Sequence, residues 1–419
     1  MQRQISSPEP EAARRIPRMV KSALTQTHPG FLIFLLAAVT ISTSLAIDLC
    51  LPALPFIAES LAADMGRVQQ TLSVFILGVG VGQLIYGPLS DSLGRKPVLI
   101  FGLALYGLAG FLCAVAQSVD QLIVFRLMQS FGAAVGAVVT RAVVRDLYQG
   151  EQAAKVFSRI FLVMMLAPLI APLFSAQLLL WVSWRFIFLL LGIFGLLLVA
   201  SVIYQLPETH SKNRRRKLSL ASLPGQYWSV LADRRTAGYF LCGSFTFAGM
   251  FAFVTSAPFV YMQFYDVPVE YFGFWYSSNI LMVSLLSWIN ARIIERVGLQ
   301  HMLDRATWLS MLAGMAVLFF AMTGIGGLLG LYPGLLVFIG SLGMIGANCN
   351  AGMLNPFGDS AGMASAIMGA GRFLFGGIAS MIVGILHDGT PVPMAIVIFG
   401  SSALAFLSYR IFVVREQNA

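Results

Sequence analysis

Charge is what this sequence has least of. Only 11% of its 419 residues are Asp, Glu, Lys or Arg, against roughly 25% in soluble domains. With 58% hydrophobic residues, the balance fits a polytopic membrane protein and leaves little for a soluble domain. Cysteine is scarce as well. Cys50, Cys113, Cys242 and Cys349 stand singly in apolar runs, with no CxxC among them, so neither a disulfide framework nor a zinc site is indicated. The four histidines (His28, His210, His301, His387) fall in predicted loops and do not cluster. There is no G-x-x-x-x-G-K-[ST] loop, so ATP is not the evident fuel. No H-E-x-x-H, nucleophile elbow or paired-carboxylate site is present either. Enzyme chemistry is not expected, and no cofactor is implied.

What the chain does have is apolar length. A bilayer span needs roughly 20 predominantly apolar residues. Runs of that order lie at 31–55, 69–88, 98–116, 122–143, 157–180, 184–205, 237–262, 271–290, 304–324, 331–353, 362–386 and 392–413. The expectation is an all-α integral membrane protein of twelve spans. The longest polar break, 206–236, carries Lys212, Arg214, Arg215, Arg216 and Lys217. It divides the chain into a tail 1–30, a six-helix bundle 31–205, a linker 206–236, a second six-helix bundle 237–413 and a tail 414–419. The first run is too long for a signal-peptide core and is read as an uncleaved span.

The basic residues set an orientation. Segments 1–30, 89–97, 141–159, 206–236, 291–305, 354–361 and 410–419 hold 23 of the 27 Lys and Arg, the others being Arg67, Arg126, Arg185 and Arg372. Such asymmetry places these segments and both termini in the cytoplasm. The net charge of +9 then serves topology, and nucleic-acid binding is not expected. An internal repeat supports the two halves: Asp91-Ser92-Leu93-Gly94 after the second run is echoed by Glu295-Arg296-Val297-Gly298 after the eighth.

Charges inside the runs are the candidates for function. Asp48 lies in Ile47-Asp48-Leu49-Cys50-Leu51-Pro52-Ala53-Leu54-Pro55. An ionisable group there costs about 2.5–3.5 kcal/mol and marks a functional site by default; the competing assignment is an interfacial acid. Arg126 lies about 6 Å inside its run, and Asp48 about 26 Å from Phe31, at 1.5 Å per residue. Both fall in the outer half, where opposite charges in hydrocarbon are expected to pair. Snorkelling to the interface is the alternative for Arg126. Arg372 sits deeper in its run, either lining a cavity toward an anionic or carbonyl group or bonding helix carbonyls. Asn279, Asn348 and Asn350 either face that cavity or join helices. Phe245, Phe247, Phe251, Phe253 and Tyr261 supply a pocket lining or ordinary packing.

Two further stretches carry pattern. Gly87-Pro88-Leu89-Ser90-Asp91-Ser92-Leu93-Gly94-Arg95-Lys96-Pro97 reads as a cytoplasmic turn, with Asp91 placed to cap a helix or to pair with a basic residue. Pro168 and Pro172, four apart, free backbone carbonyls and bend a membrane helix.

The 87–97 stretch resembles the signature loop of the major facilitator superfamily, with Ser92 where arginine is usual. Leu122-Ile123-Val124-Phe125-Arg126-Leu127-Met128-Gln129-Ser130 is similar to the family's fourth-helix pattern, in which the arginine is linked to proton coupling; Ser130 stands for glycine. Ala167-Pro168-Leu169-Ile170-Ala171-Pro172 resembles the fifth-helix motif of drug–proton antiporters, with Ala171, Ser175 and Ala176 in place of glycines. The run 47–55 resembles the first-helix signature of the bicyclomycin-resistance (Bcr/CflA) group, with Cys50 where tyrosine is usual. Gly82-Gln83-Leu84-Ile85-Tyr86-Gly87-Pro88 and Ser183-Trp184-Arg185-Phe186 are similar to that group too.

The resemblance implies the major facilitator fold and proton-driven drug export from a bacterial cytoplasm by a monomer in the inner membrane. Its partners would be small drugs of the bicyclomycin, sulfonamide or chloramphenicol kind, protons and the lipid bilayer. It also implies proton coupling at Asp48 and Arg126, a cavity formed by Asp48, Gln129, Arg372, Phe247, Phe251 and Asn279, and a conformational-switch loop of Gly87, Asp91, Gly94, Arg95 and Lys96. Transport of a natural metabolite such as an amino acid is the alternative, since fold does not fix function.

Overall fold

The computed structural model describes residues 29–211, 213, 215, 223–355 and 361–414. Nearly all of the tails expected at 1–30 and 414–419 and most of the basic cluster in 206–236 lie outside them. The described chain is helical almost throughout: α1 Pro29–Asp48, α2 Leu54–Ser60, α3 Met65–Leu93, α4 Arg95–Ala114, α5 Val119–Leu147, α6 Gly150–Leu178, α7 Trp184–Gln205, α8 Leu223–Leu231, α9 Arg234–Pro258, α10 Val269–Val297, α11 Leu299–Thr323, α12 Gly327–Leu354, α13 Ala361–Ile385 and α14 Val392–Tyr409.

Twelve crossings follow, with α1 and α2 forming one broken span and α8 a short connector. Eleven of these helical segments are long and apolar enough to cross a bilayer. The twelfth, α10, is 29 residues long but carries Glu270, Arg292, Glu295 and Arg296 toward its ends.

Several helices outrun the apolar stretches that announced them, because polar residues supply their ends. Asp64 caps α3 by accepting from Gly66 N at 2.8 Å. Ser118 caps α5 through Gln121 N at 3.2 Å. Asp233 caps α9 through Thr236 N at 2.7 Å. Each satisfies a backbone donor left free in a first turn.

The first span is not the continuous helix 31–55 that the apolar run suggested. α1 stops at Asp48, a tight turn covers Leu51–Ala53, and α2 begins at Leu54. Pro52 and Pro55 explain the break: neither has an N–H to donate to the preceding turn.

Within each half, helices approach closely through small residues, the usual solution where hydrophobicity does not drive association. A Cβ on Gly132 of α5 would stand 2.3 Å from Tyr106 N of α4. The halves meet along α3 with α13 and along α6 with α10. Ser277 Oγ of α10 donates to Leu169 O of α6 at 2.7 Å. A Cβ on Gly273 of α10 would lie 2.6 Å from Leu173 Cα. At the end bearing the 61–64 and 265–268 connections, the Leu51–Ala53 turn and α2 also pack against α9, α10 and the π-helical turn Phe259–Phe264. At the opposite end α5 and α12 make no comparable contact among the described residues.

Candidate functional site

The break in the first span presents Asp48, 5% exposed, to the junction of the halves. Its Oδ1 accepts from the Tyr276 hydroxyl of α10 at 3.5 Å. Tyr276 is held flat by stacking, with its ring 5.9 Å from Phe253 and 5.8 Å from Phe272. An aromatic wall thus fixes the one polar group that, among the described residues, reaches the carboxyl from the second half.

Arg126 is fully buried but does not pair with Asp48. Its Nη1 donates to Gln129 Oε1 at 2.8 Å and its Nη2 to Ala46 O at 3.0 Å. Its guanidinium lies over the Phe75 ring, 4.1 Å from the centroid, and 5.6 Å from that of Phe188. The ion pair expected from matched depths is therefore replaced by a link through the backbone. Arg126 grips the carbonyl of Ala46, two residues before Asp48, where α1 loses its own amide donors. Ser175 Oγ of α6 holds the other side of the break through Leu49 O at 2.5 Å. Cation–π contact and charge-assisted hydrogen bonds offset part of the cost of burying this charge.

Arg372 of α13 donates from Nη2 to Gly346 O of α12 at 3.0 Å and lies over Phe247 of α9, 4.5 Å from its centroid. Phe251 is buried in α9–α13 packing, 5.5 Å from Phe373, and does not share the Arg372 cluster. Asn279 turns its Nδ2 back onto Trp275 O at 2.9 Å. Asn348 and Asn290 exchange hydrogen bonds at 3.0 and 3.4 Å. The α6 helix runs through both Pro168 and Pro172.

The expected 87–97 turn is far shorter than its sequence suggested. Gly87, Pro88 and Asp91 lie inside α3, and Gly94 alone makes the turn, at φ +104°. Gly298 repeats it at φ +86° between α10 and α11, so the sequence echo is a backbone echo. Asp91 caps no helix N-terminus; it pairs with Arg95 at 2.5 Å. Arg95 continues to Asp146 of α5 at 3.3 Å and to Ser90 Oγ at 2.6 Å. Its backbone N–H donates to Glu208 at 3.0 Å. Lys96 Nζ donates to Ile203 O at 2.7 Å, near the α7 C-terminus, where a cation suits the helix dipole.

Sequence reasoning missed Tyr276 and Arg141 as site candidates and named Gln83 only as part of the 82–88 stretch. Tyr276 carried a faint signal, as the hydroxyl-bearing ring one turn after Phe272. Arg141 was counted with the charges of a polar connection, whereas α5 continues to Leu147.

Residues 36–383 match the model of the Major Facilitator Superfamily. The chain belongs to this superfamily: it is a multi-pass membrane transporter and not an enzyme. It is 33% identical over 366 residues to a bicyclomycin resistance protein homolog of Haemophilus influenzae, covering 87% of this chain and 91% of that protein. It is 29% identical to a chloramphenicol resistance protein of Pseudomonas aeruginosa, covering 87% and 86%. These matches bear out the resemblance to the bicyclomycin-resistance group. Among solved structures, it is similar to a bacterial homolog of the human lysosomal transporter Spinster, inward-facing and unoccupied. The TM-score there is 0.71 at 13% identity, over 93% of this chain and 98% of that one; this likeness concerns the fold alone.

Proposed function

We propose that the chain is a proton-driven exporter of small drugs, working by alternating access in the bacterial inner membrane. The observation that carries this reading is the buried Asp48 carboxyl at the junction of the halves, touched by Tyr276 across it. A hydrogen bond to an ionised carboxylate is roughly twice as strong as one to a neutral group. The charge on Asp48 therefore biases the tie between α1 and α10. Asp48 takes a proton when its end of the cavity is open and releases it to the cytoplasm. Once ionised, it favours the arrangement in which that end is closed. Each proton entering supplies about 2.3 kcal/mol per 100 mV and about 1.36 kcal/mol per pH unit.

In this reading the units 31–205 and 237–413 rock about the α3–α13 and α6–α10 contacts, and the linker 206–236 joins them. On the same reading the end bearing Arg95, Asp146 and Glu208 is cytoplasmic, with both termini inside and the monomer as the working unit; the bias of Lys and Arg toward these connections supports it. Similarity to a bicyclomycin resistance protein homolog, a chloramphenicol resistance protein and multidrug resistance protein D of Escherichia coli supports the class of cargo.

The test is a drug panel in a sensitive host with wild type, Asp48→Asn and Arg126→Ala. Wild type should raise inhibitory concentrations of unrelated compounds, and Asp48→Asn should not despite normal membrane levels. Resistance from Asp48→Asn equal to wild type would remove Asp48 from the coupling step. No protection by wild type, with accumulation of a single metabolite, would remove the drug-export reading.

A further inference from the structure

Arg141 of α5 and Arg372 of α13, from opposite halves, lie along one stretch of α13 with no acid between them among the described residues. Arg141 of α5 donates from Nε to Ala137 O at 2.8 Å and from Nη1 across the junction to Ser365 Oγ of α13 at 3.0 Å. Ser365, Gly369 and Arg372 stand at i, i+4 and i+7, which places them on one helix face. A Cβ on Gly369 would lie 3.8 Å from Arg141 Nη2 and 2.8 Å from Gln83 Oε1 of α3. Arg372 begins one turn further along, about 4.5 Å at 1.5 Å per residue. With no side chain at Gly369, Gln83 and Arg141 close onto the α13 backbone there, one turn from the start of Arg372.

These groups are underused. Neither Arg141 nor Arg372 makes an ion pair among the described residues. Arg372 Nε is buried with no hydrogen-bond partner, and so is Oε1 of Gln83, whose residue is 3% exposed. Like charges in a poorly solvated site repel, and buried polar groups without partners are costly. A bound anion relieves the repulsion and accepts from Arg372 Nε; toward Gln83 it can take only the Nε2 amide donors, since Oε1 itself accepts. Arginine suits this role because its planar fork matches a carboxylate or similar oxyanion.

We propose that Arg141, Arg372 and Gln83 form an anion subsite of the transport cavity. It receives a carboxylate or a comparable compact oxyanion of the cargo and discriminates against cationic compounds. This deepens the export reading, whose carboxyl group at Asp48 lies at a separate position. Gly369 lets Gln83 and Arg141 approach α13 closely, Arg141 brings charge from the first half, and Arg372 brings charge from the second. Occupancy therefore ties the two halves together at the end away from the Asp48–Tyr276 contact.

The experiment measures equilibrium binding to the purified full-length protein in nanodiscs, without any gradient. The probes are phenylbutyrate, phenylbutanamide and phenylbutylamine, which share a carbon skeleton and carry an anionic, a neutral and a cationic head group. Wild type should bind the carboxylate at least about ten-fold more tightly than the amine. Arg141→Gln and Arg372→Gln should each reduce carboxylate affinity by about ten-fold and leave the amide within about two-fold. Arg372→Lys should recover part of the loss. Equal wild-type affinity for the three probes, or no measurable carboxylate binding, overturns the proposal. So does unchanged carboxylate affinity in both glutamine variants. Because no proton gradient is present, a failure of proton-driven export leaves this readout untouched. The drug panel in cells can in turn fail while the carboxylate preference stands.

Discussion

The Tyr276 hydroxyl donates to Asp48 Oδ1 at 3.5 Å, joining α10 of one half to the broken first span of the other. Tyr276→Phe removes that donor and keeps the ring stacked on Phe253 and Phe272. Loss of one such bond is worth about 1 kcal/mol, or about five-fold in an equilibrium. The expected outcome is a several-fold fall in transport rate with little change in thermal stability. It is checked by uptake into inverted vesicles alongside a melting curve of the purified protein.

Arg126 is set by geometry more than by charge alone. It serves Gln129 and the Ala46 carbonyl at once while lying over Phe75. A lysine cannot reproduce that fork. Arg126→Lys should therefore lose at least about ten-fold in transport, nearly as much as Arg126→Ala. The alanine variant should also lower stability by about 2–4 kcal/mol, since it leaves a cavity and an unpaired Ala46 carbonyl. Vesicle transport and denaturation midpoints separate the two effects.

The turn glycines offer a matched comparison. Gly94 and Gly298 both have positive φ with extended ψ, a region essentially reserved for glycine, so an alanine at either should cost about 1–3 kcal/mol. Only at Gly94 would the new Cβ also meet a neighbour, with Glu208 Oε2 at 2.4 Å, whereas nothing lies within 4 Å at Gly298. Gly94→Ala should thus be the more destabilising and should disturb the Glu208 contact to the Arg95 backbone. Thermal midpoints of the two variants test the order.

The acids around Arg95 should not be equal. The Asp91 side chain is 50% exposed and that of Asp146 is 25% exposed. Exposed ion pairs contribute about 0–1 kcal/mol. Asp146 also accepts from Thr209 Oγ1 at 3.0 Å. Asp146→Asn should lower stability and transport more than Asp91→Asn, and a double variant should show coupling through Arg95. The measurement is a double-mutant cycle on the melting midpoint.

Much of this architecture was legible in the chain. Apolar length located all twelve crossings, and the 91–94 and 295–298 echo became two glycine turns of the same hand. Helix ends were harder, because Asp64, Ser118 and Asp233 extend helices with polar residues that hydropathy discards. The partners of the buried charges were harder still. Asp48 and Arg126 are matched in depth, yet depth along a helix says nothing of azimuth. Arg126 turns toward Ala46 and Phe75, while Asp48 turns toward Tyr276, 228 positions away. Arg141 was hidden by a misplaced boundary: read as the start of a polar connection, it lies two turns inside α5.

The most direct test reconstitutes the protein in liposomes with an imposed inward proton gradient and follows internal pH as drug is added. The prediction is drug-triggered proton movement in wild type and Tyr276→Phe, slower in the latter, and none in Asp48→Asn, whose drug binding persists. Drug-triggered proton movement in Asp48→Asn at the wild-type rate would contradict the account.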